Sequence, residues 1–435
     1  MTSSTRAPKR RTTAYGTPKN GNDPVRHAAH LRGLNLDRVL AVAFDRTDTF
    51  TRAEISDATG LSAPTVGSLA SELIQSGVLT DLGTGPSRGG RRPSFMEFNA
   101  RYGFVAGIDL GPTHTRLAVA DLRGEVVAHQ VVRTARTRGP KAILEKLAEQ
   151  MLALMRQSDV PPDKLLAVGA GAPGAVDCES GHLIALAPNL RGWSDVPMGT
   201  ILGKALGAPV IVENDVNLAI LGERWRGAAR GHDTCAYIWI GTGIGSGIVV
   251  QGELHRGHHF QAGEIALMCM GPQFVETNFG ARGCFETLAG LNALSSAWAK
   301  NGSAHGGGHA HGRADHDGWV QELFAEAAAG DPTAAAAVRN TATLLGIATA
   351  NLTVVIDPSL VILGGALIAQ APSLVDDVKK IVARIVPEPS DIVASPLGQE
   401  APLWGSLRIA MSEARNRLRQ QITGLNLRPN SLHAL

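Results

Sequence analysis

Two segments gather the residue types that do chemistry. Val212–Asn217 reads VENDVN and sets Glu213, Asn214 and Asp215 side by side, two carboxylates flanking an amide. Glu276–Glu286 reads ETNFGARGCFE, and just upstream Ala262–Leu267 reads AGEIAL. The second segment has the look of the end of a metal cluster, but Cys284 is its one cysteine. A structural zinc takes about four ligands, commonly Cys and His. Cys269, His258 and His259 lie nearby, without a spacing that pairs them with Cys284. A damaged zinc site, a catalytic loop and an ordinary turn are all open readings of this stretch.

Glycine-rich elements surround these residues. GIDLGPTHT (Gly107–Thr115) puts Asp109 and bare backbone at a strand end, and GAGAPGAVD (Gly169–Asp177) follows another apolar strand. GTGIGSG (Gly241–Gly247) resembles a dinucleotide fingerprint, but that motif must lead into a helix. Here Ile248, Val249 and Val250 continue as a strand, so the fingerprint is rejected. A glycine hairpin still leaves backbone N–H groups free for phosphate. No GxxxxGK[ST] loop occurs in the chain.

The elements that must position these residues form an α/β pattern. Phe104–Gly111 reads as an apolar strand, and Thr113–Val132 as a hairpin turning at Asp121–Gly124. A helix over Lys141–Gln157 and strands at Leu166–Gly169 and Pro209–Val212 follow. CAYIWIG and IGSGIVVQGELHRG add β structure, then a helix-rich section runs from Glu286 to about Asp357. VILGG and a long helix over Ser406–Ile422 close the pattern. Hairpins mixed with helices indicate an α/β domain of two lobes. The insertion His305–His316 is rich in His and Gly; its histidines could bind a metal, but such a loop reads as a flexible connector in preference to a metal site.

The chain has 435 residues, 44% hydrophobic and 18% charged, an ordinary globular balance for two or three domains. Its 4 cysteines show no CxxC pair, which predicts reduced thiols and a cytoplasmic location, with association with the nucleoid if DNA is bound. The basic N-terminus lacks an apolar core after its charges and does not read as a signal peptide. The most apolar run, Leu344–Ile368, is interrupted by Asn351 and Asp357-Pro358, which argues against a membrane helix. The net charge of +2 hides an asymmetry, because residues 1–99 hold 13 Lys and Arg against 9 Asp and Glu. A basic front end on a near-neutral body predicts a polyanion-binding module.

Residues 1–33 read as a disordered basic tail. Order is expected from Leu34, where Leu36, Val39, Leu40, Ala43 and Phe44 recur at helical spacing. Thr51 opens a Thr-x-x-Glu capping box, and Gly60 ends the short helix that follows. Ser62 caps a third helix with Pro64 in its first turn. A strand, the basic loop GTGPSRGGRRP (Gly83–Pro93) and a second strand complete a winged helix-turn-helix over 34–100. Such modules place the third helix in the major groove. Ser62, Ala63, Thr65, Val66 and Ser68 are then the candidate base contacts, all too small for bidentate readout. Arg88, Arg91 and Arg92 on the wing are expected in a narrow A·T-rich minor groove, and Arg52 on a phosphate.

The order DxG, GxPG, ENDxN, GTGxGxG, AGE, GxRGCxE and PxxVxLGG (Pro358–Gly365) resembles the ROK family of repressors, open reading frames and sugar kinases. The resemblance covers about residues 34–420. It implies that residues 101–435 form a two-lobed actin/hexokinase-like (ribonuclease H-like) sugar-kinase domain around an effector cleft. It also implies a sugar-responsive transcriptional regulator, a repressor of carbohydrate-metabolism genes, because members with a winged helix are regulators. Those without one are mostly sugar kinases. Asp215 matches the family's catalytic base, and the same carboxylate can instead hold a sugar hydroxyl. Gly174, Asn189, Asn214, Glu264 and Glu286 match sugar-contacting positions. Asp109, Thr113, Thr242 and Gly243 match the phosphate-binding loops.

The departures are equally informative. Pro112 stands where the family's phosphate loop has glycine, and proline removes an N–H donor. The family's zinc histidine is Leu267 here, and two of its cysteines are Thr277 and Phe279. No cofactor is therefore expected, neither zinc nor a resident ATP. Apolar packing by Leu267 and Phe279 is expected to brace the loop instead. The expected partners are operator DNA, a sugar or sugar derivative and a second copy of the chain, as a homodimer or homotetramer matching two half-sites. The alternative is an ATP-dependent hexose kinase using Asp215 as base.

Overall fold

The computed structural model describes residues 24–84, 93–134, 139–185, 192–299 and 318–424. The first helix, α1 (Pro24–Asp45), begins ahead of Leu34, where apolar periodicity places its start. No bulky apolar residue precedes Leu31 at helical spacing, so periodicity cannot see this turn-by-turn extension. His30, Leu31 and Arg32 are exposed, and Arg32 pairs with Glu72.

Helix α2 (Arg52–Thr59) starts at the capping box: Glu54 N–H donates to Thr51 Oγ1, and Thr51 N–H donates to Glu54 Oε2 at 2.7 Å. Gly60, at φ +69, ends it. Helix α3 (Ala63–Gln75) is capped by Ser62. Strands β1 (Phe50–Thr51), β2 (Leu79–Thr84) and β3 (Ser94–Phe98) form a sheet in the order β1-β3-β2. Strand β1 is too short for alternation to reveal it. Leu36, Leu40, Ile55, Leu69, Leu73 and Met96 fill the core of this module.

The body contains two sheets of the same topology. In the first, β4 (Phe104–Leu110), β5 (His114–Asp121) and β6 (Val126–Arg133) run antiparallel, and β7 (Leu165–Ala172) and β10 (Val210–Asn214) extend the sheet in parallel. The order is β10-β7-β4-β5-β6. In the second, β11 (Cys235–Ile240), β12 (Ile244–Val250) and β13 (Glu253–Leu254) are antiparallel, and β14 (Leu360–Gly364) and β15 (Asp391–Ala394) are parallel. The order is β13-β12-β11-β14-β15, so each lobe repeats one meander-then-crossover plan. A small hairpin, β8 (Ala175–Asp177) with β9 (His182–Ala185), extends the first lobe.

Helices α4 (Pro140–Gln157) and α5 (Met198–Leu206) pack on the first sheet through Leu144, Met151 and Leu202. Helices α7 (Cys284–Ala289), α8 (Leu291–Ala299), α9 (Trp319–Ala328), α10 (Pro332–Ile356), α11 (Ala366–Gln370) and α12 (Leu374–Ile385) serve the second lobe. The last strand of each lobe feeds a helix between them: β10 feeds α6 (Asp215–Arg226), and β15 is followed by α13 (Ala401–Thr423). These two helices cross at glycine. A Cβ on Gly222 would lie 2.3 Å from the Ala401 carbonyl oxygen, and one on Gly405 would lie 1.9 Å from that of Leu218. Among the described residues, no helix is long and apolar enough to cross a membrane.

Candidate functional site

A cleft of about 220 Å³ opens where the strand ends of the two lobes face each other. Asp109 comes from the end of β4, Thr113 from the β4–β5 turn and Gly174 from the β7–β8 turn. Asn214 and Asp215 stand at the junction of β10 and α6, while Thr242 and Gly243 form the β11–β12 turn. Glu264 and Glu286 arrive from the loop after β13 and from α7. All these residues, scattered over the sequence, line one cavity. Asn189 lies outside the described residues.

The cleft concentrates carboxylates, with Asp109 and Glu286 buried and Asp215 and Glu264 half-buried. Burial first, then the charges of Asp109 and Glu264, raise the Asp215 carboxyl to about 7, against a hydrogen bond from Val216 N–H. Burial raises Glu264 to about 7, with Glu286 adding to it. Burial also raises Glu286, opposed by the Ile244 N–H that donates to its Oε2 at 3.1 Å. Asp109 is raised to about 6 by burial, against the Arg116 guanidinium at 3.1 Å. Arg116 also donates to Gln399 Oε1 at 3.0 Å. Carboxyls titrating near neutrality can each donate or accept a hydrogen bond, which suits a ligand dense in hydroxyls.

Among the described residues, three buried atoms of the lining find no hydrogen-bond partner: Asn217 Oδ1, Ser246 Oγ and Glu286 Oε1. Buried polar groups are nearly always hydrogen-bonded, so three such atoms on residues that line one cavity mark its wall as polar beneath the surface. Ser246 and Asn217 are not among the sequence candidates. Both sit inside chemistry-bearing motifs, Ser246 in GTGIGSG and Asn217 in VENDVN, and that placement is the signal the sequence holds for them.

Asn214 has a more structural role than its expected sugar contact. Its Oδ1 accepts from Val216 N–H and Asn217 N–H, both at 2.9 Å, and its Nδ2 donates to the Gly174 carbonyl at 3.1 Å. It caps α6 and fixes Gly174, leaving one amide N–H for a ligand. In the β4–β5 turn, Gly111 N–H donates to His114 O at 3.1 Å and Thr134 N–H to Thr113 O at 2.9 Å. The turn is thus closed upon itself, with Pro112 at its tip lacking an N–H.

The segment ending at Glu286 folds around Cys284, which is buried and accepts from Met270 N–H at 3.4 Å. Phe279 is half-buried and packs edge-on against Phe274, with ring centroids 5.9 Å apart. Leu267 corrects the expected apolar brace: it is 45% exposed and lines the cleft, because the 3₁₀ turn Ile265–Leu267 buries its first two residues instead. Cys269 is exposed, and the rings of His258 and His259 touch each other at 4.5 Å. Among the described residues, no three His, Cys, Asp or Glu side chains come together to hold a metal. His305–His316 lie outside the described residues.

On the winged helix, Ser62, Ala63 and Ser68 are exposed and Thr65 is half-buried, its Oγ1 2.8 Å from Ser62 Oγ. Val66 is a correction. It is 0% exposed, since it heads the stripe Val66, Leu69, Ala70 and Leu73 that packs into the core and cannot also face a base. Arg52 begins α2 and is half-buried, with its Nε enclosed. Arg88, Arg91 and Arg92 lie outside the described residues.

Comparison with known proteins places this architecture. Residues 105–413 match the model of the ROK family. The xylose repressor of Bacillus subtilis is 28% identical over 371 residues, 84% of this chain and 92% of that protein. The glucokinase of Thermotoga maritima is 29% identical over 311 residues, 70% of this chain and 96% of that protein. A crystal structure of a ROK family transcriptional regulator, a homologue of the E. coli MLC protein, superposes with a TM-score of 0.72. It covers 91% of this chain and 100% of its own at 21% identity, a likeness of fold.

Proposed function

Because the chain belongs to the ROK family, we propose that it is a sugar-responsive, DNA-binding transcriptional regulator, a repressor of carbohydrate-metabolism genes. The observation that carries this is the coupling, in one chain, of a winged helix to a cleft lined by converging carboxylates. Coverage supports it: the repressor relative matches 84% of the chain, the glucokinase relative 70%. An unphosphorylated sugar would bind between the lobes, its hydroxyls shared among Asp215, Glu264, Glu286 and the orphaned Ser246 oxygen. It would shift the balance between DNA-competent and DNA-incompetent arrangements. The exposed start of α3 would enter the major groove and the wing an A·T-rich minor groove, as a homodimer on two half-sites.

The test is a fluorescence-anisotropy titration of the purified chain on DNA from its own upstream region, with and without sugars such as D-xylose and D-glucose. We expect tight binding that one of the sugars releases. Failure of any genomic fragment to bind more tightly than random DNA would sink the regulator reading.

A second reading, a hexose kinase, is favoured by the retention of Asp215 at the cleft and by the glucokinase relatives. Pro112 weighs against it, since the phosphate loop has one donor fewer. ATP-dependent phosphorylation of a hexose panel, lost in Asp215→Asn, would establish it; we expect none above background. Neither zinc nor ATP is a resident cofactor in the reading we favour. Elemental analysis is expected to find well under one zinc per chain, and a dialysis-resistant full equivalent would overturn that.

A further inference from the structure

One buried ion pair belongs to neither the cleft lining nor the lobe cores. Arg256 Nε donates to Glu213 Oε2 at 2.7 Å, with side chains 14% and 4% exposed. Glu213 stands on β10 of the first lobe, immediately before Asn214 and Asp215. Arg256 follows β13 of the second lobe. The pair therefore bridges the lobes. Glu213 Oε1 in turn accepts from Asn217 Nδ2 and from Asn214 N–H, both at 3.0 Å, so the bridge ends on the first turn of α6, where Asp215 is held.

On the other side, Arg256 opens a strap, residues 255–264, that delivers Glu264 to the cleft. The strap is fastened to β12 at both ends: His255 N–H donates to Ile248 O at 2.8 Å, and Ser246 N–H donates to Gly263 O at 2.8 Å. Gly263, at φ +89, sits so close that a Cβ would lie 1.8 Å from the Ser246 carbonyl oxygen. Ala262 N–H closes the loop on Arg256 O at 3.1 Å. Phe260 and Ala262 of the strap line the cleft with Glu264.

We propose that Arg256 is a positioning residue: through Glu213 it fixes the strap that carries Glu264 against the helix start that carries Asp215, and so sets the spacing of the sugar-binding carboxylates across the lobes. This rests on the reading of the cleft as a sugar site. A buried pair is seldom a gain in stability over an apolar pair of equal size. It does fix geometry, because each partner left alone would be a buried uncompensated charge.

The test compares the native chain with Arg256→Gln, Arg256→Lys and the neutral pair Glu213→Gln/Arg256→Gln, which retains no orphaned charge should the single variant fold poorly. Hydrogen exchange of residues 255–264 is read without sugar, and calorimetric affinity for D-xylose and D-glucose is read alongside. Arg256→Gln and the neutral pair are expected to speed strap exchange and weaken the bound sugar by about tenfold each. Exchange in β4 and β7 should stay the same, and Arg256→Lys should recover most of both losses. Unchanged strap exchange in the neutral pair, or a Lys variant no better than Gln, would overturn the proposal. A native chain that binds neither sugar would instead count against the sugar-effector reading, and strap exchange would still decide whether the brace exists.

Discussion

Asp215 holds its proton to about 7 in the folded chain, whereas an unfolded aspartate releases its proton near 4. Between those limits the native state binds the extra proton, so this group's contribution favours folding at low pH and falls as pH rises through about 7. Glu264, also raised to about 7, acts in the same direction. Asp109 and Glu264 repel the charge on Asp215, and Glu286 repels that on Glu264. We expect Asp215→Asn to stabilise the sugar-free chain at pH 8 by roughly 1–3 kcal/mol, and by less at pH 5. The Asn oxygen can still accept from Val216 N–H, as Asp215 Oδ1 does at 2.9 Å. Urea melts of both proteins at the two pH values measure this. A variant destabilised equally at both would mean that Asp215 is held by contacts the cleft charges do not explain. The same substitution should weaken sugar binding, a trade of stability for function that fits a binding site.

At the scale of the elements, the helix crossing of α6 and α13 sets how closely the lobes approach. Gly405→Ala drives a methyl into the Leu218 carbonyl oxygen, a backbone atom that cannot rotate away. We expect a loss of at least roughly 1–3 kcal/mol. Gly67→Ala in α3, where an added Cβ meets nothing within 4 Å, should instead gain roughly 0.5–1 kcal/mol. Thermal melts of the two variants should move in opposite directions, and a neutral Gly405→Ala would mean that the crossing is loose. The capping box of α2, the Ser62 cap of α3, the turn glycines and the apolar runs of β4 and β7 are local signals, and the sequence carries them plainly. The cleft was legible through Asp109 at a strand end, and through Asp215, Glu264 and Glu286 by the likeness of their motifs to those of the ROK family. What escaped was non-local. Val66 is the exception, since its helical-period stripe with Leu69, Leu73 and Ile74 is a local signal that already sets it on the apolar face of α3. Arg256 has no motif of its own, and its meaning comes from Glu213, 43 positions away and in the other lobe. Strand β15 and helix α12 complete the second lobe's repeat of the first, a symmetry visible only as sheet order.

Over the whole molecule, α13 is the element that touches everything a sugar-controlled switch would have to connect. Its first turn brings Pro402 to the cleft beside Gln399, the partner of Arg116. Ser406 Oγ donates to the Ile108 carbonyl of β4 at 3.1 Å, and Gly405 meets α6. Its later turns bury Met411 and Leu418 in one cluster with Leu36 and Leu40 of α1. There Arg419 donates from Nε and Nη2 to the two Asp37 oxygens at 2.5 Å each, and the Arg415 guanidinium lies over the Phe44 ring at 5.3 Å. A second tie runs from Arg123 to the Thr47 and Phe98 carbonyls. The winged helix is therefore docked on a helix whose other end lines the cleft. Arg419→Ala leaves Asp37 uncompensated in a site only 16% exposed. We expect it to loosen α1 by roughly 1–3 kcal/mol, below the full cost of breaking a wholly buried pair. Hydrogen exchange should rise in α1 and stay unchanged in β4 and β11, and Arg419→Ala with Asp37→Ala together should cost less than the sum of the two. Operator affinity of the variant should lose part of its dependence on sugar, because a loosened winged helix no longer follows the lobes. Equal loosening of all three regions would make Arg419 a general stabiliser, and the path from cleft to DNA would have to run through Arg123 instead.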